Sequence, residues 1–244
     1  MKQSIFTIIS NTQLTGDVFE LKLIGDTSDV TAAGQFVNIK IEGLFLRRPI
    51  SVCDVNGGRL TLIYKVVGKG TEVMSKMRTG EKLDVLTGLG NGYDLTKAGD
   101  RPLLIGGGVG VPPLYYLAKK LVAQGKSVSV ILGFNTKMEV FLESAFRALG
   151  CAVTVTTVDG SYGVKGFVTD AMDIGYSHFY TCGPEPMLKA VYSKSDTDGQ
   201  FSFEERMGCG FGACMGCSCK TVTGYKRICK DGPVLTKGEI LWQK

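Results

Sequence analysis

The 244-residue chain contains no run of five like charges and no long apolar segment. Its 28 Lys and Arg outnumber its 23 Asp and Glu by only five, a dispersed surplus that argues against a nucleic-acid-binding protein. The longest uncharged run, residues 102–118, is interrupted by four glycines and three prolines and is too short to span a bilayer. We therefore expect a protein that binds neither nucleic acid nor a membrane.

A signal-peptide core is also missing, because polar and apolar residues alternate along the N-terminal segment. We accordingly expect a cytoplasmic protein, and because thiols stay reduced there, we do not assign its eight cysteines to disulfides. Five of those cysteines lie between positions 209 and 229, and such clustering indicates a metal site. Histidine is nearly absent, and the single His178, beside a predicted strand, is interpreted as structural.

Glycine, by contrast, is abundant. The 33 glycines are nearly twice the usual share of about 7%, and they follow no Gly-X-Y period. With 44% apolar residues the chain can bury a core, which excludes intrinsic disorder. The glycine excess therefore indicates turns and places where the backbone must approach a ligand.

Residues 1–97 predict a small antiparallel barrel of six strands. Apolar runs separated by turn signals place the strands at 5–9, 18–23, 35–41, 50–54, 59–67 and 81–86. One helix is expected in this region, over residues 71–77, with Thr71 as its N-cap.

Residues 98–196 predict a doubly wound parallel sheet, because buried apolar strands alternate there with amphipathic helices. Residues 197–244 form a third, Gly- and Cys-rich segment with little periodicity, and we expect the strand–helix pattern to end before Phe201. The chain is therefore predicted to combine a β barrel, an α/β domain and a small C-terminal metal-binding segment.

The cysteine spacing in the third segment is specific. Cys209, Cys214 and Cys217 form C-x4-C-x2-C, and Cys229 follows after eleven residues, which is the plant-type spacing for a [2Fe-2S] cluster. Structural zinc is the alternative, although zinc sites are usually built from paired knuckles without so many glycines. Cys219 could replace Cys217, but the spacing favours Cys217. The remaining three cysteines are interpreted as small hydrophobes: Cys53, Cys151 and Cys182.

Two segments of the barrel region could hold a flavin dinucleotide. Arg48 begins an Arg-Pro-x-Ser tetrapeptide and could fork two N–H bonds onto a pyrophosphate, although a surface arginine is the commoner explanation of such a sequence. Gly70 and Thr71 open the predicted helix, whose N-terminal N–H groups favour a phosphate. The candidate flavin residues are Arg48, Pro49, Ile50, Ser51, Ile63, Tyr64, Lys65, Gly70 and Thr71.

The α/β region carries two glycine-containing tips that follow buried strands. Parallel strands bring such tips to one carboxyl edge, where doubly wound sheets bind nucleotides. A tight turn is the alternative for the first tip, which lacks the G-x-G-x-x-G fingerprint. Asn135 and Lys137 are candidates for contact with the ribose 2′ position, which leaves NAD versus NADP open. The candidate NAD residues are Gly107, Gly108, Gly110, Cys182, Gly183 and Pro184.

Taken together, RRPIS, YK-x-x-G-x-GT, GGGVGVPP, CGFGACMGC and CKDGPV resemble the ferredoxin-NADP reductase superfamily, and within it the iron–sulfur electron-transfer subunits of class 1B, NAD-linked dihydroorotate dehydrogenases. The resemblance extends over nearly the whole chain. It implies an FAD-binding barrel, an NAD-binding domain, and Cys209, Cys214, Cys217 and Cys229 as ligands of a [2Fe-2S] cluster.

The same resemblance implies an NAD-linked oxidoreductase subunit in pyrimidine biosynthesis. An FMN-containing dihydroorotate dehydrogenase catalytic subunit would be its partner, in a heterotetramer of two subunits of each kind. Two alternatives remain at this point. One is the flavin and [2Fe-2S] subunit of a NAD(P)H-dependent ferredoxin, sulfur or hydrogenase oxidoreductase. The other is a non-catalytic redox-sensing or zinc-binding interaction module.

Overall fold

The structure, a computed structural model, describes residues 1–242 and begins with a closed barrel of antiparallel strands. The barrel strands are β1 (Lys2–Gln13), β2 (Val18–Ile24), β3 (Phe36–Ile39), β4 (Arg48–Asn56), β5 (Arg59–Lys65) and β6 (Lys82–Leu89). Their order is β1-β2-β5-β4-β3-β6. Alternate side chains such as Phe6, Leu21, Leu62 and Val85 fill the interior. The predicted six-stranded barrel is confirmed.

Helix α1 (Lys69–Ser75) begins two residues earlier than the sequence predicts. Gly68 is the N-cap, and Thr71 lies within the first turn, so the prediction of Thr71 as N-cap is wrong. The Thr71 hydroxyl accepts hydrogen bonds from the backbone N–H groups of Val67 and Gly68, at 3.0 and 3.3 Å. Thr71 therefore still stabilises the start of α1 with its hydroxyl, but from the third helical position and not from the N-cap.

The second sheet has seven strands: β7 (Leu103–Gly107), β8 (Ser129–Phe134), β9 (Ala152–Thr157), β10 (Val164–Lys165), β11 (Phe179–Cys182), β12 (Gly199–Ser202) and β15 (Val234–Thr236). Their order is β10-β9-β8-β7-β11-β12-β15. All neighbouring pairs are parallel except the antiparallel edge pair β12–β15. Helices pack on both faces: α2 (Pro112–Ala123), α3 (Glu143–Ala148) and α4 (Glu185–Lys194).

The strand pattern continues past Phe201, contrary to expectation. Strand β12 includes Phe201, which is fully buried, and β15 returns from the C-terminal segment to extend the sheet. Four- and three-residue strands are too short to show a period, and only their pairing partners identify them. The proposed division at 97/98 and 196/197 remains a prediction, and residues 243 and 244 of its last segment lie outside the described residues.

Short elements complete the chain. Strands β13 (Ser218–Thr221) and β14 (Gly224–Arg227) form an antiparallel hairpin in the C-terminal segment. Among residues 1–242, no helix combines the length and the apolar composition needed to cross a bilayer. Single 3-10 turns occur at Leu95–Lys97, Gly108–Gly110, Lys137–Glu139, Val168–Ala171 and Lys237–Glu239.

The barrel and the α/β domain share one apolar core, because α2 packs directly against β4. Leu117 of α2 and Val52 of β4 are both fully buried in it. The Lys119 ammonium also lies 2.9 Å from both carboxylate oxygens of Asp54. This interface holds the two domains around the cleft described next.

Candidate functional site

A large cleft of about 1290 Å³ opens between the barrel and the carboxyl edge of the second sheet. It exceeds the roughly 300–1,000 Å³ of ordinary ligand pockets, as a site for two dinucleotides must. All the candidate flavin and NAD residues named above line this one cleft, although they come from positions 48 to 184.

The flavin side of the cleft is built on β4, β5 and the start of α1. Pro49, Ile50 and Ser51 lie on β4, and Ile63, Tyr64 and Lys65 lie on β5. Tyr64 stacks on Phe19 with ring centroids 5.9 Å apart and donates to Asn11 Oδ1 at 3.1 Å. Burial raises the pKa of Tyr64 to about 12, so its phenol stays neutral.

Arg48 lies directly on the start of α1. A Cβ at Gly70 would lie 1.9 Å from Arg48 Nε, so the guanidinium occupies the space that glycine leaves. Lys69, Gly70 and Thr71 are first-turn residues whose N–H groups have no intrahelical acceptor. The structure therefore brings the arginine and the helix start together, as a site for one pyrophosphate requires.

The nucleotide side lies where the strand order reverses, between β7 and β11. A Cβ at Gly110 would lie 2.2 Å from the Cys182 carbonyl oxygen, and a Cβ at Gly107 would lie 2.5 Å from the Met187 sulfur. The two tips are thus in backbone contact. Burial raises the pKa of the Cys182 thiol to about 12, which keeps it neutral beside this edge.

The sequence did not identify several residues that line the cleft. Phe36 on β3 and the connecting segment 203–207 line the cleft, and so does Glu139 after β8. Phe36 carried no signal beyond its place in a strand. Of the two ribose candidates, Asn135 lines the cleft, whereas the Lys137 ammonium lies over the Tyr162 ring, 5.7 Å from its centroid.

The four candidate cluster ligands lie in two neighbouring pairs. In residues 208–217, here called the cluster loop, Cys209 Sγ accepts from the N–H groups of Ala213 and Cys214 at 3.2 and 3.4 Å. In the second pair, Cys217 Sγ accepts from Cys229 N–H at 3.4 Å. Burial opposes ionisation of Cys209, but the backbone donors outweigh it and lower its pKa.

This arrangement fits a [2Fe-2S] cluster. The two pairs offer four thiolates, the number that a plant-type two-iron cluster takes from its protein. The N–H donors to Cys209 and Cys217 are the hydrogen bonds that cluster sulfurs accept in such sites.

The other cysteines are not members of these pairs. Cys219 lies on β13, packs against the apolar cluster of Cys217 and Cys229, and lines a second cavity of about 270 Å³ beside Trp242. Burial raises its pKa. Cys53 and Cys151 are buried in the main core. The single histidine, His178, is buried beside Gln200 and is not part of the cleft lining.

Comparisons with known proteins agree along the whole chain. A family model described as the iron-sulfur cluster binding domain of dihydroorotate dehydrogenase B matches residues 204–241, and an oxidoreductase NAD-binding domain matches residues 104–193. A dihydroorotate dehydrogenase B (NAD(+)) electron transfer subunit from Geobacillus sp. (strain WCH70) is 46% identical and covers 99% of both chains. The corresponding subunit from Fusobacterium nucleatum is 43% identical, over 98% of this chain and 99% of the relative.

A solved structure of an NADH-dependent reduced ferredoxin-NADP oxidoreductase superposes with a TM-score of 0.89 at 30% identity, covering 97% of this chain and 90% of the other. A ferredoxin NADP+ reductase from Neisseria gonorrhoeae shares the fold, with a TM-score of 0.69 at 16% identity over 80% of this chain and 90% of the other. On the full-length identity to curated relatives, the chain belongs to the electron transfer subunits of dihydroorotate dehydrogenase B.

Proposed function

We propose that this subunit passes electrons from an FMN-containing dihydroorotate dehydrogenase catalytic subunit, through a [2Fe-2S] cluster and FAD, to NAD+ in pyrimidine biosynthesis. The observation that carries the proposal is continuity: one cleft joins the flavin and nucleotide residues, and the wall of that cleft packs on the cysteine pairs. The cluster would carry single electrons and the flavin would collect two for transfer as hydride, a conversion that NAD+ requires.

The wall of the cleft and the cysteines share one apolar cluster. Phe36 lines the cleft and also belongs to the apolar cluster that contains Cys217 and Cys229. Met207 likewise lines the cleft and packs against that cluster. Electrons moving between the two sites would therefore cross a short, packed path.

A hydrogen bond also joins the barrel, on the flavin side of the cleft, to the cluster loop. Asn38 lies opposite Pro49 in the β3–β4 pair, and its Nδ2 donates to the Cys209 carbonyl oxygen at 3.2 Å. A Cβ at Gly210 would lie 2.4 Å from Asn38 Nδ2, so the cluster loop can approach the barrel this closely only with glycine there. This contact supports a fixed separation between flavin and cluster.

The exposed side of the cluster loop is the proposed entry for electrons. Cys214 is exposed, and two large apolar side chains beside it, Phe211 and Met215, are 42% and 54% exposed. Exposed apolar groups next to a redox centre favour a docking surface. We place the catalytic subunit there, in a cytoplasmic heterotetramer of two subunits of each kind.

A second candidate is a subunit of a NADH-dependent ferredoxin-NADP oxidoreductase, favoured by the close superposition on that structure. The identity is higher with the dihydroorotate dehydrogenase subunits, 46% against 30%, and supports the first proposal. Dihydroorotate-dependent reduction of NAD+ by the chain mixed with its catalytic subunit distinguishes the two.

The first experiment is a visible spectrum of the anaerobically purified chain before and after NADH, with iron and flavin quantified on the same sample. We expect flavin bands and broad cluster absorption, both bleached by NADH because the electron path is reversible. A colourless, zinc-containing protein would overturn the cofactor assignment and favour the interaction-module alternative.

Glu139 is expected to favour NAD over NADP. Its carboxylate lines the cleft just after β8 and accepts hydrogen bonds from Asn135, from the backbone N–H at 3.2 Å and from Nδ2 at 3.0 Å. An acidic group at this point of a doubly wound sheet binds a ribose 2′-hydroxyl and repels a 2′-phosphate.

Replacing Glu139 with glutamine removes the charge and keeps the shape. The ratio of kcat/KM for NADH over NADPH should fall by about tenfold or more, because the amide is a weaker acceptor for the 2′-hydroxyl than a carboxylate and does not repel a 2′-phosphate. Lys137→Gln serves as the matched control, because Lys137 does not line the cleft. An unchanged ratio in Glu139→Gln would show that another residue selects the coenzyme.

A further inference from the structure

The Arg227 side chain joins the cluster loop to the turn that carries Cys229. Its Nη1 donates to the Gly212 carbonyl oxygen at 3.1 Å. Its Nε and Nη2 donate to the two carboxylate oxygens of Asp231, at 3.0 and 3.1 Å. A planar guanidinium held by a bidentate carboxylate has little freedom, so the third contact is held in a defined direction.

The group that Arg227 holds is the peptide between Gly212 and Ala213. The carbonyl of this peptide accepts from Arg227, and its N–H donates to Cys209 Sγ at 3.2 Å. A trans peptide is planar, with its C=O and N–H pointing in opposite directions, so fixing the carbonyl aims the N–H at the sulfur. A cationic donor on the carbonyl also polarises the peptide and strengthens the N–H as a donor.

The packing around Gly212 supports this arrangement. Gly212 has φ of +92°, and a Cβ there would lie 2.6 Å from Lys230 Cδ. The cluster loop therefore rests against the residue that follows Cys229. Arg227 lies at this junction, two positions before Cys229 in the chain and in hydrogen-bond contact with Gly212 of the cluster loop.

We propose that Arg227 is a positioning residue that raises the reduction potential of the cluster. It would hold the Ala213 N–H on Cys209 and place a positive charge beside the ligands, and both effects stabilise the added electron. The inference rests on the proposed function, because it requires that the four cysteines hold a [2Fe-2S] cluster.

The test is a redox titration of the cluster, followed by electron paramagnetic resonance, in the full-length chain purified anaerobically. In Arg227→Gln we expect the cluster to be about tenfold harder to reduce, a downward shift of about 59 mV for a one-electron couple. Iron content is measured on each sample. Full iron with an unshifted potential in Arg227→Gln would overturn the inference.

Two further variants separate positioning from general damage. Arg227→Lys keeps the charge and should shift the potential less than Arg227→Gln does. Lys226→Gln removes an equal charge from the same strand and likewise breaks an ion pair, the one with Glu239, but Lys226 does not hold the Gly212 carbonyl, so its shift should be much smaller. An equal shift in Lys226→Gln would overturn the role of Arg227.

Arg227→Lys decides the matter if Arg227→Gln loses its iron. Lysine keeps the charge but lacks the planar fork that contacts Asp231 and Gly212 together, so the potential should still fall, by less than about 59 mV. An unshifted potential in Arg227→Lys would then overturn the inference. A wild-type chain without the signal of a reduced [2Fe-2S] cluster would instead contradict the proposed function, so the two failures are distinguishable.

Discussion

Replacement of Cys214 by serine is expected to abolish electron transfer from the catalytic subunit to NAD+. Cys214 is the exposed member of its cysteine pair, and serine supplies a hydroxyl in place of the thiolate that an iron–sulfur cluster binds. The loss should be confined to the transfer that passes through the cluster. FAD content and the NADH-dependent reduction of the flavin should persist, because Cys214 does not line the cleft.

The measurement pairs iron content with dihydroorotate-dependent NAD+ reduction in the reconstituted complex. Cys219→Ser is the matched control, because Cys219 belongs to neither cysteine pair, and this variant should retain both iron and activity. Cys217→Ser should behave like Cys214→Ser, which resolves the choice between Cys217 and Cys219. Unchanged coupled activity in Cys214→Ser would contradict the role proposed for the cluster.

The second large effect is expected from Gly110→Ala. The new Cβ would lie 2.2 Å from the Cys182 carbonyl oxygen and 2.6 Å from Gly183 Cα. Both neighbours are backbone atoms, so the two strand tips must separate and the nucleotide edge is lost. Overpacking of this kind costs about 1–3 kcal/mol. Because the strain lies in the conformation that binds the nucleotide, we expect the affinity for NADH to fall by roughly 5- to 150-fold.

The checks are the Kd for NADH and the rate of flavin reduction, with FAD and iron quantified as folding controls. Gly238→Ala is the matched glycine substitution, since no atom lies within 4 Å of its added Cβ. It should bind NADH as the wild type does. Equal NADH affinity in Gly110→Ala would place the nucleotide elsewhere in the cleft.

Much of the architecture could be predicted locally. The barrel strands, α2 and α4 each carry a complete period or a terminal signal within a few residues, as with Pro112 at the start of α2. The start of helix α1 was predicted two residues too late, because Thr71 caps the helix from inside its first turn. Strands β12 and β15 were missed because they are short and gain their stability from pairing with distant strands.

The residues of the candidate site likewise include some that the sequence identifies and others that only the fold brings into the site. The cysteine spacing and the glycine tips could be recognised because the ligands and glycines themselves are the signal. The sequence gives no sign of the roles of Phe36, Asn38 and Glu139. Their roles depend on the residues that folding places beside them. Asn38 meets Cys209 across 171 positions of sequence, a contact that no local pattern encodes.

By itself, then, the sequence determined the order of the domains, the candidate ligands and the family, because periodicity and spacing are local properties. The tertiary structure decided that one cleft contains the flavin and nucleotide residues, and that side chains of its wall pack in the same apolar cluster as Cys217 and Cys229. It also placed Arg227 on the peptide that faces Cys209. These features depend on packing between distant segments, and only the folded chain brings such segments together.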